Sequence, residues 1–508
     1  VVIDVKTGKV LAMASRPGYD ANLFAVPGKL TPELQKQFFS PDLGEFGKQY
    51  VSKLLRRSYE ANQAYSGKSI DEIVDILFPL DKGIANNKTI RQDYHDIYPK
   101  PLYNYATKTL APPGSTFKPL TAVAGLEEGV IEPGATMSCP AVFTKHRYNG
   151  KNFLSASYSG VDVTMALEKS INYFFFEVGD RLYQQRKQYN GGFDAIAHYA
   201  WQFGLGAPAG VNPSTGIEIS EKFGQVYNLE SGRTIFSSLY MNSLIGLLSR
   251  GTDTRTPNYR IHYIGINITD TPSDSDDVKA IKEKLRARII DEMKYKKSGI
   301  DDIKNMLIEL STKDASLKEK YDKGYEDYLN TYSGDERKKF TKEKFISDQI
   351  EQATAAISYS IDDGNFNINN QNNVYDASIG QGTNQFTPVQ MANYVATLVN
   401  GGSRFKVHLV DSILDQDGKV VKEFKPEIVE KVNLKQSTIN TVKNGMRDVV
   451  NEGTARAALG NFPISNGGKT GSATVSSVQD QFGRTSYAVF VGFAPFDNPE
   501  IAICTIIF

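Results

Sequence analysis

Apolar positions alternate in short runs at both ends of the chain and repeat with helical spacing between them. At the start, residues 1–5 and 10–14 flank a Lys-Thr-Gly turn, which predicts a β-hairpin. Near the end, alternation predicts strands over 468–475, 487–493 and 500–507. Strands at both ends with helices between them favour a mixed α/β or α+β body whose sheet joins the two ends of the chain.

Runs of apolar residues with a spacing of three and four predict the main helices. One helix is expected to begin near Ser115 and to end at Gly129, and another to run over 164–179. The second is apolar on all sides, which predicts deep burial. Further helices are predicted over 388–399, which a pair of glycines follows, and near 441–450.

Two segments differ from this body. Residues 27–99 are polar, rich in aromatic side chains and interrupted by Asn and Gly, with short helical patches such as 70–80. Residues 251–370 are rich in Lys, Asp and Glu, and amphipathic stripes such as that over 278–293 predict a charged helical insertion. Residues 362–373 have the composition of a calcium loop but lack the spacing and final Glu of an EF-hand, so we predict a polar surface loop.

Composition excludes several classes of function. The 508 residues carry 58 Lys and Arg against 58 Asp and Glu, and this net charge of zero gives no global electrostatic attraction for nucleic acid. Cys139 and Cys504 are the two cysteines, too few for a disulfide framework or a four-cysteine zinc site. Cys139 and His146 would supply two ligands, so we predict neither a metal site nor a cofactor. The sequence has no apolar run of about eighteen residues, so we predict no membrane span within it.

The segment from Pro112 to Lys118 carries the most informative chemistry. Ser115 is expected at the start of a helix, where free backbone N–H groups and the helix dipole favour negative charge. Lys118 follows three residues later, so a helix places both side chains on one face. A buried lysine with a lowered pKa can take the proton of a serine, which makes Ser115 a candidate nucleophile and Lys118 its candidate base. A second Ser-x-x-Lys, from Ser403 to Lys406, runs into a strand-like segment, in which residues three apart point to opposite faces.

Two further motifs support the first. Taken alone, this spacing has a simpler interpretation, in which the serine caps the helix and the lysine is an exposed cation on the surface. Ser170-Ile171-Asn172 places a polar pair in the helix that is predicted to be buried, where polar groups need partners. Lys469-Thr470-Gly471-Ser472 follows a pair of glycines and is typical of a strand with an exposed polar edge, whereas Lys6-Thr7-Gly8 is the turn of the first hairpin.

In this order, the three motifs resemble the signature of penicillin-binding proteins and class A β-lactamases, with Ile171 where that signature has Asp. Residues 2–22, the Ser-Ile-Gly-Gln-Gly turn with the helix after it (378–392) and the strand over 490–495 resemble the class B penicillin-binding proteins, the monofunctional peptidoglycan transpeptidases. The resemblance implies the serine penicillin-recognising, β-lactamase-like transpeptidase fold, an α/β (α+β) architecture. Its central antiparallel sheet would join the N- and C-terminal segments and be flanked by helices.

The resemblance also implies a domain organisation. Residues 1–508 would form one transpeptidase domain, with insertions at about 27–99 and 251–370. Both ends of the sequence lie in predicted strands, so we expect a piece of a longer protein whose N-terminal membrane anchor and pedestal domain are absent from it. The expected location is the membrane of a bacterial cell, with the catalytic domain outside the cytoplasm.

By resemblance, five residues would carry out the chemistry: Ser115, Lys118, Ser170, Asn172 and Lys469. Ser115 would attack the carbonyl of the penultimate D-Ala in a stem peptide that ends in D-Ala-D-Ala, and Lys118 would be its base. Ser170 would relay the proton to the leaving D-Ala, and Asn172 would hold the substrate amide and the lysine. An amine of a neighbouring stem peptide would then take the acyl group and form a cross-link. β-Lactams would acylate the same serine.

By the same resemblance, the Lys-Thr-Gly-Ser motif would bind the substrate. Lys469 would make the site electropositive, and the hydroxyls of Thr470 and Ser472 would bind the terminal carboxylate. Backbone N–H groups of Ser115 and Ser472 would form the oxyanion hole. Gly471 would leave room for a substrate that lies along the edge of the strand.

Two alternatives to the transpeptidase are open. D-Ala-D-Ala carboxypeptidases and serine β-lactamases use the same triple of motifs, but β-lactamases are much shorter and no class A loop with a deacylating Glu is seen. A penicillin-sensing or scaffold module is the alternative of another class, and the intact pair of Ser115 and Lys118 argues against a silent enzyme. Expected partners are peptidoglycan stem peptides, β-lactams and a cell-wall glycosyltransferase or a division or elongation complex, to which the charged insertion could dock. Nucleic acid is not expected.

Overall fold

Five strands form an antiparallel sheet, the central sheet, that joins the two ends of the chain, as the alternating patterns predict. The structure is a computed structural model, and it describes residues 1–256, 259–331, 340–474, 482 and 486–507. From one edge to the other, the strands are Gly467–Thr474, Ser486–Ala494, Ile501–Ile507, Val2–Asp4 and Val10–Ala12. The last strand of the chain therefore pairs with the first, with Ile3 opposite Ala502.

The strand that carries the Lys-Thr-Gly motif, Gly467–Thr474, lies at one edge of the central sheet. It pairs over its whole length with Ser486–Ala494, and the pairing ends with Thr474 opposite Ser486. Its outer side has no strand partner among the described residues. The backbone groups of an edge strand are available to another element or to an extended ligand.

Outside the central sheet, the described residues of 1–227 and 371–507 form helices and short two-stranded pairs joined by turns and loops. The α-helices are Asn22–Ala25, Pro32–Phe39, Leu43–Arg57, Tyr59–Ala64, Ile70–Leu77, Tyr105–Lys108, Lys118–Glu127, Val163–Glu168, Asn172–Gln185, Ala195–Gln202, Asn372–Ser378, Pro388–Val399, Gln436–Asn451 and Arg456–Leu459. The short 3₁₀ helices are Gly114–Phe117, Lys145–Arg147, Phe153–Ser155 and Asn190–Gly192. The short strands are Met137–Cys139, Val142–Phe143, Gly150–Lys151, Tyr158–Val161, Ser403–Phe405, Ser412–Leu414, Val420–Glu423 and Ile428–Lys431.

The helix over 388–399 is confirmed, and it has the predicted bounds, Pro388–Val399. Its start is fixed by a capping box, in which the side chains of Thr387 and Gln390 each accept from the backbone N–H of the other. Every residue of the helix is buried, and it packs on the strand Ile501–Ile507 of the central sheet. The central sheet therefore packs against a fully buried helix.

The predicted single helix over 164–179 is wrong. One helix ends at Glu168, and a second, Asn172–Gln185, begins four residues later. Between them, Ser170 takes a left-handed conformation with φ at 56°, which interrupts the helical hydrogen-bond pattern. The predicted burial is confirmed, because the side chains on both sides of the break, such as Leu167 and Phe174, are fully buried.

Residues 27–99 contain more helix than the sequence predicts, with four helices between Pro32 and Leu77. Three of these helices bury apolar side chains in a small cluster, which we call the accessory core. Its buried members are Val51, Leu54, Ala61, Tyr65, Ile73, Val74, Leu77, Phe78, Ile97 and Phe482. Nine of the ten lie within 51–97, and Phe482 comes from the far end of the chain.

Residues 228–370 form a second compact unit. Its helices are Leu229–Arg250, Asp276–Tyr295, Ile300–Lys313, Ala315–Leu329 and Lys342–Ile368, and its strands are Thr252–Thr256 and Tyr259–His262. The apolar stripe that predicts the second helix is buried, from Val278 to Met293. Among the described helices, none is both long enough and apolar enough to cross a lipid bilayer. That 27–99 and 251–370 are insertions in a transpeptidase domain stays a prediction.

The predicted surface loop over 362–373 is wrong. The helix Lys342–Ile368 continues through its first half, and another helix begins at Asn372. Asp, Asn and Gly are poor helix formers, but Ile361 and Ile368 are buried on this helix. Burial of one face therefore outweighs the weak local preference.

Candidate active site

Ser115 lies in a tight 3₁₀ turn, Gly114–Phe117, that runs directly into the helix Lys118–Glu127. We call this turn the Ser115 turn. The Gly114 N–H donates to Gly380 O at 2.9 Å, which attaches the turn to the Gly-Gln-Gly segment. Ser115 is half-buried, whereas the other residues of the turn are buried. The backbone around the predicted nucleophile is thus held in place while its side chain is accessible.

Lys118 is fully buried, and its side-chain nitrogen meets three oxygen atoms. Lys118 Nζ lies 2.6 Å from Asn172 Oδ1, 2.8 Å from Ser170 O and 3.1 Å from Ser170 Oγ. It also lies 5.4 Å from the centre of the Phe175 ring. The structure therefore brings the first two motifs together around one nitrogen atom.

The break between two helices explains how Ser170 and Asn172 both reach Lys118. In a continuous helix, Ser170 O would accept from a backbone N–H four residues later, and it would not be available to a side chain. The left-handed conformation of Ser170 gives both its carbonyl and its hydroxyl oxygen to Lys118. Asn172 is the first residue of the next helix, and its Nδ2 donates to Lys151 O at 2.8 Å. That bond orients the Asn172 amide so that Oδ1 accepts from Lys118 Nζ.

The Lys-Thr-Gly strand lies against the Ser115 turn. A β-carbon built on Gly471 would lie 2.7 Å from Pro113 O and 2.8 Å from Thr116 Cγ2. The β-carbon position at this glycine faces the protein's own turn, and that Gly471 leaves room for a substrate stays a prediction. Any side chain there would push the strand away from Ser115.

Alternation along the strand separates the motif side chains onto two faces. Lys469 lies on the same face as Gly471 and is fully buried, with Nζ 3.0 Å from Thr470 O. Thr470 is half-buried and Ser472 is exposed on the opposite face. Thr470 Oγ1 lies 2.6 Å from Thr454 Oγ1, which orients the Thr470 hydroxyl. The two hydroxyls that are predicted to bind a carboxylate therefore share the accessible face of an edge strand.

Burial lowers the pKa of both lysines. For Lys118, burial and then the charge of the nearby Lys469 hold the pKa well below its usual range. For Lys469, burial lowers the pKa to about 7. Neither amine has a carboxylate partner in the part of the chain that the structure describes. At neutral pH these amines are therefore far easier to deprotonate than an exposed lysine, and an uncharged amine can accept a proton.

The lowered pKa of Lys469 predicts that stability rises with pH. The folded protein releases this proton near pH 7, whereas the unfolded chain keeps it up to about pH 10.5. Between these values the unfolded state binds more protons, so this group raises the free energy of unfolding by up to about 1.4 kcal/mol per pH unit. In Lys469→Met the contribution is absent, and the rise seen by urea unfolding between about pH 7 and 9 should be smaller. Equal slopes in the two proteins would contradict a lowered pKa.

Three further residues hold the site together, and the three motifs alone do not indicate them. Gln381 Nε2 donates to Ser472 O at 3.3 Å, and the Tyr394 hydroxyl donates to Thr116 O at 3.0 Å. Thr454 contacts Thr470, as described above. The signal for Thr454 in the sequence is a Glu-Gly-Thr segment directly after a helix, which is too common to single out.

The chance copies of the motifs lie outside the site. Ser403 begins the short strand Ser403–Phe405, and Lys406 Nζ lies 3.6 Å from a carboxylate oxygen of Glu427. Lys6-Thr7-Gly8 forms the turn between the first two strands of the central sheet, as predicted.

Cys139 and His146 have different surroundings in the structure. Cys139 is fully buried, and burial raises the pKa of its thiol to about 12. The His146 ring is half-exposed, with Nε2 3.7 Å from Asp180 Oδ1. Within the described ranges, no group of three or more His, Cys, Asp or Glu side chains could hold a metal ion.

Comparisons with known sequences bear directly on the family. The model of the family described as "Penicillin binding protein transpeptidase domain" matches residues 1–328 and 330–507. Penicillin-binding protein 2A of Bacillus subtilis is 38% identical over 143 residues, which are 26% of this chain and 20% of that protein. The peptidoglycan D,D-transpeptidase MrdA of Haemophilus influenzae is 26% identical over 224 residues, 44% of this chain and 23% of that protein. The chain thus spans less than a quarter of the length of these curated relatives.

A comparison with solved structures bears on the fold. A chain from a structure of a peptidoglycan synthase complex, described as coordinating polymerization and crosslinking, covers 99% of this chain with a TM-score of 0.52. The two are 21% identical, and the match covers 51% of that chain. With the antiparallel central sheet and its flanking helices, this likeness confirms the predicted fold. The chain belongs to the penicillin-binding protein transpeptidase domain family, as its resemblance to the class B members predicts.

Proposed function

We propose that this chain is a serine D,D-transpeptidase that cross-links peptidoglycan stem peptides through an acyl-enzyme on Ser115. One observation carries the proposal: the buried amine of Lys118, one helical turn after Ser115, lies 3.1 Å from the Ser170 hydroxyl and 2.6 Å from the Asn172 amide oxygen. A lysine of lowered pKa beside a serine hydroxyl is an arrangement that activates a serine for acyl transfer. The matched relative MrdA carries the name of this activity, which supports the proposal.

The uncharged amine of Lys118 is the base in the proposed acylation. Its two N–H groups donate to Ser170 O and Asn172 Oδ1, which leaves its lone pair for the proton of the Ser115 hydroxyl. Ser115 Oγ then bonds to the carbonyl carbon of the penultimate D-Ala, and the C–N bond to the terminal D-Ala breaks. The proton passes from Lys118 through Ser170 Oγ to the leaving nitrogen, so that D-Ala departs with a neutral amine.

The second half of the reaction reverses these proton transfers. An amine of a neighbouring stem peptide attacks the acyl carbon and gives its proton, through Ser170, to Lys118. The amide bond of the cross-link forms, the ester bond to Ser115 breaks, and Ser115 Oγ recovers its proton. A β-lactam acylates the same oxygen by opening its ring, and its ring nitrogen takes the proton.

The edge strand binds the substrate in this proposal. The hydroxyls of Thr470 and Ser472, on its accessible face, bind the terminal carboxylate. Lys469 lies behind them and adds positive charge whenever it is protonated. The backbone N–H groups of Ser115 and Ser472 stabilise the oxyanion, which is usually the largest electrostatic contribution to acyl transfer.

The partners and location follow from the same proposal. Because the relatives are several times longer than their match with this chain, we place residues 1–508, with insertions at 27–99 and 251–370, as the catalytic domain of a longer protein. That protein is anchored in a bacterial membrane and acts outside the cytoplasm, where stem peptides are found. A cell-wall glycosyltransferase is the proposed partner, and the matched peptidoglycan synthase complex supports this choice.

Intact-mass measurement after incubation with excess benzylpenicillin tests the function. We expect one stable adduct, which protease digestion assigns to the peptide that contains Ser115. The peptide that contains Ser403, the serine of the chance copy, provides an internal control and should be unmodified. An adduct on any other residue would contradict the proposed nucleophile.

The same experiment separates the alternatives. Rapid destruction of the drug without a lasting adduct would indicate a serine β-lactamase, because such a hydrolase releases the acyl group quickly. No adduct and no destruction would favour a scaffold. Release of D-Ala from a pentapeptide without a cross-linked product, in the presence of an acceptor amine, would indicate a carboxypeptidase.

A further inference from the structure

The helix Asn172–Gln185, which begins at Asn172, takes its cap from a distant part of the chain. The first N–H groups of a helix have no partner within the helix, and the residue before this one, Ile171, has an apolar, buried side chain. The N–H of Tyr173 donates instead to Asn152 Oδ1 at 2.8 Å, from a loop 21 residues earlier in the chain. A side chain outside the helix therefore holds its start.

The side chain of Asn152 is itself held by other segments. It is 4% exposed, and its Nδ2 donates to Pro140 O at 3.0 Å and to Ala156 O at 2.8 Å. The backbone N–H of Asn152 donates to Ala141 O at 3.0 Å. Each hydrogen-bonding atom of this buried amide thus has a backbone partner. The amide joins the start of the helix to the backbone at 140 and 156.

The residues just before Asn152 also lie against the start of this helix. Lys151 O accepts from Asn172 Nδ2 at 2.8 Å. A β-carbon on Gly150 would collide with the buried ring of Phe176, one turn further along the helix. Two consecutive residues of the loop therefore bind the Asn172 side chain and the backbone beside it.

The two bonds of the Asn172 amide leave one N–H for a ligand. Oδ1 accepts from Lys118 Nζ at 2.6 Å, and one of the two hydrogens on Nδ2 goes to Lys151 O. The second hydrogen has no acceptor among the residues that the structure describes, and the side chain is half-buried beside the site. The direction of this free N–H is fixed by the other two bonds, and a carbonyl oxygen of a ligand is its natural acceptor.

We propose that Asn152 is a positioning residue: by capping the helix and placing Lys151 O, it directs the free N–H of Asn172 toward the amide carbonyl of the acyl group, and so sets the preference of the site for ligands that carry this amide. The inference rests on the proposed function. It gives the loop over 140–156 a role in ligand choice, although none of its residues belongs to the three motifs.

Two β-lactams that differ at this amide test the proposal. Benzylpenicillin carries a phenylacetyl amide, and aminopenicillanic acid is the same β-lactam with a free amine in its place. Intact-mass time courses give the acylation rate constant for each drug. In Asn152→Ala, the ratio of the two, benzylpenicillin over aminopenicillanic acid, should fall about tenfold, the effect of one hydrogen bond. A smaller folded fraction lowers both rates equally, so a loss of stability alone leaves the ratio unchanged.

Asn400→Ala is the matched control. Asn400 has the same kinds of bond, because its Oδ1 accepts from Ser403 N–H at 2.8 Å and its Nδ2 donates to Val5 O at 2.9 Å and to Ser403 O at 2.7 Å. It joins distant segments of the chain, and none of these partners belongs to the site. Asn400→Ala should lower the Tm and leave the ratio of rate constants unchanged.

A double-mutant cycle tests whether Asn152 acts through Asn172. Asn172→Ala removes the N–H that is being directed, so it should lower the ratio at least as much as Asn152→Ala does. In the Asn172→Ala protein, the further change Asn152→Ala should then leave the ratio where it is. An additional fall would show that Asn152 affects the acyl group by another route.

Three results would overturn the inference: an unchanged ratio in Asn152→Ala, an equal fall in Asn400→Ala, or an additional fall in the double variant. If Asn152→Ala does not fold, Asn152→Ser takes its place, because a hydroxyl fits the same space and stops one bond short of the position of Oδ1. An unchanged ratio in that variant would overturn the inference equally. Failure of the unchanged protein to form an adduct with either drug would instead contradict the proposed function.

Discussion

Lys118→Met is expected to slow acylation by benzylpenicillin about 1000-fold at pH 7, the middle of the range for loss of a general base. Met has similar length and no proton acceptor of sufficient basicity, so Ser115 keeps its proton. Intact-mass time courses measure the rate directly. Lys118→Arg should be equally slow although it keeps a positive charge, because a guanidinium does not release its proton near neutral pH.

Lys406→Met is the matched control for this experiment. Lys406 follows Ser403 at the same spacing, but it lies outside the site and contacts Glu427. Its replacement should leave the acylation rate unchanged. A rate within about tenfold of the unchanged protein for Lys118→Met would contradict its role as base, because removal of a general base costs about 100-fold or more.

Gly380→Ala is expected to lower the acylation rate about 100-fold and to destabilise the fold. Gly380 has a φ of +75°, and a β-carbon on it would lie 2.1 Å from Gly114 O and 2.8 Å from Phe117 Cβ. Gly114 O is a backbone atom and Phe117 Cβ is fixed to the backbone, so the clash displaces the Ser115 turn and not the end of a flexible side chain. A displacement of Ser115 by about 1 Å accounts for the expected 100-fold loss of acylation rate. Urea unfolding should show a loss of about 3 kcal/mol.

Gly401→Ala measures the cost of an alanine at positive φ alone, without a steric clash. Gly401 has a φ of +83°, and no atom of the described residues lies within 4 Å of a β-carbon there. Its replacement should cost only the strain of a left-handed alanine, about 1–2 kcal/mol, with no change in acylation. Equal acylation rates for Gly380→Ala and Gly401→Ala would contradict the role of Gly380 in holding the Ser115 turn.

Patterns among neighbouring residues were sufficient to predict many of the helices and strands. The apolar run over 388–399 and the pair of glycines after it predict the helix that the structure has at Pro388–Val399. The strands near the C-terminus alternate with a period of two, and the structure has them within one residue of the predicted bounds. Both signals act between neighbours, so the rest of the chain does not change them.

Longer-range contacts explain the failures. The apolar run over 164–179 predicts one helix, but Ser170 takes a left-handed conformation and gives two oxygen atoms to Lys118. The polar run over 362–373 predicts a loop, but burial of the isoleucines on Lys342–Ile368 keeps it helical. In each case a contact with a distant part of the chain outweighs the local preference.

The sequence by itself determined the strands that meet in the central sheet, the helix Pro388–Val399 that packs on it and the one-turn spacing of Ser115 and Lys118, because each depends on residues a few positions apart. Only the tertiary structure decided that Lys118 meets Ser170, 52 positions away, and that Gly471 closes on the Ser115 turn. It also decided the lowered pKa of Lys118 and Lys469, because an amine loses its hydration only when the folded chain surrounds it.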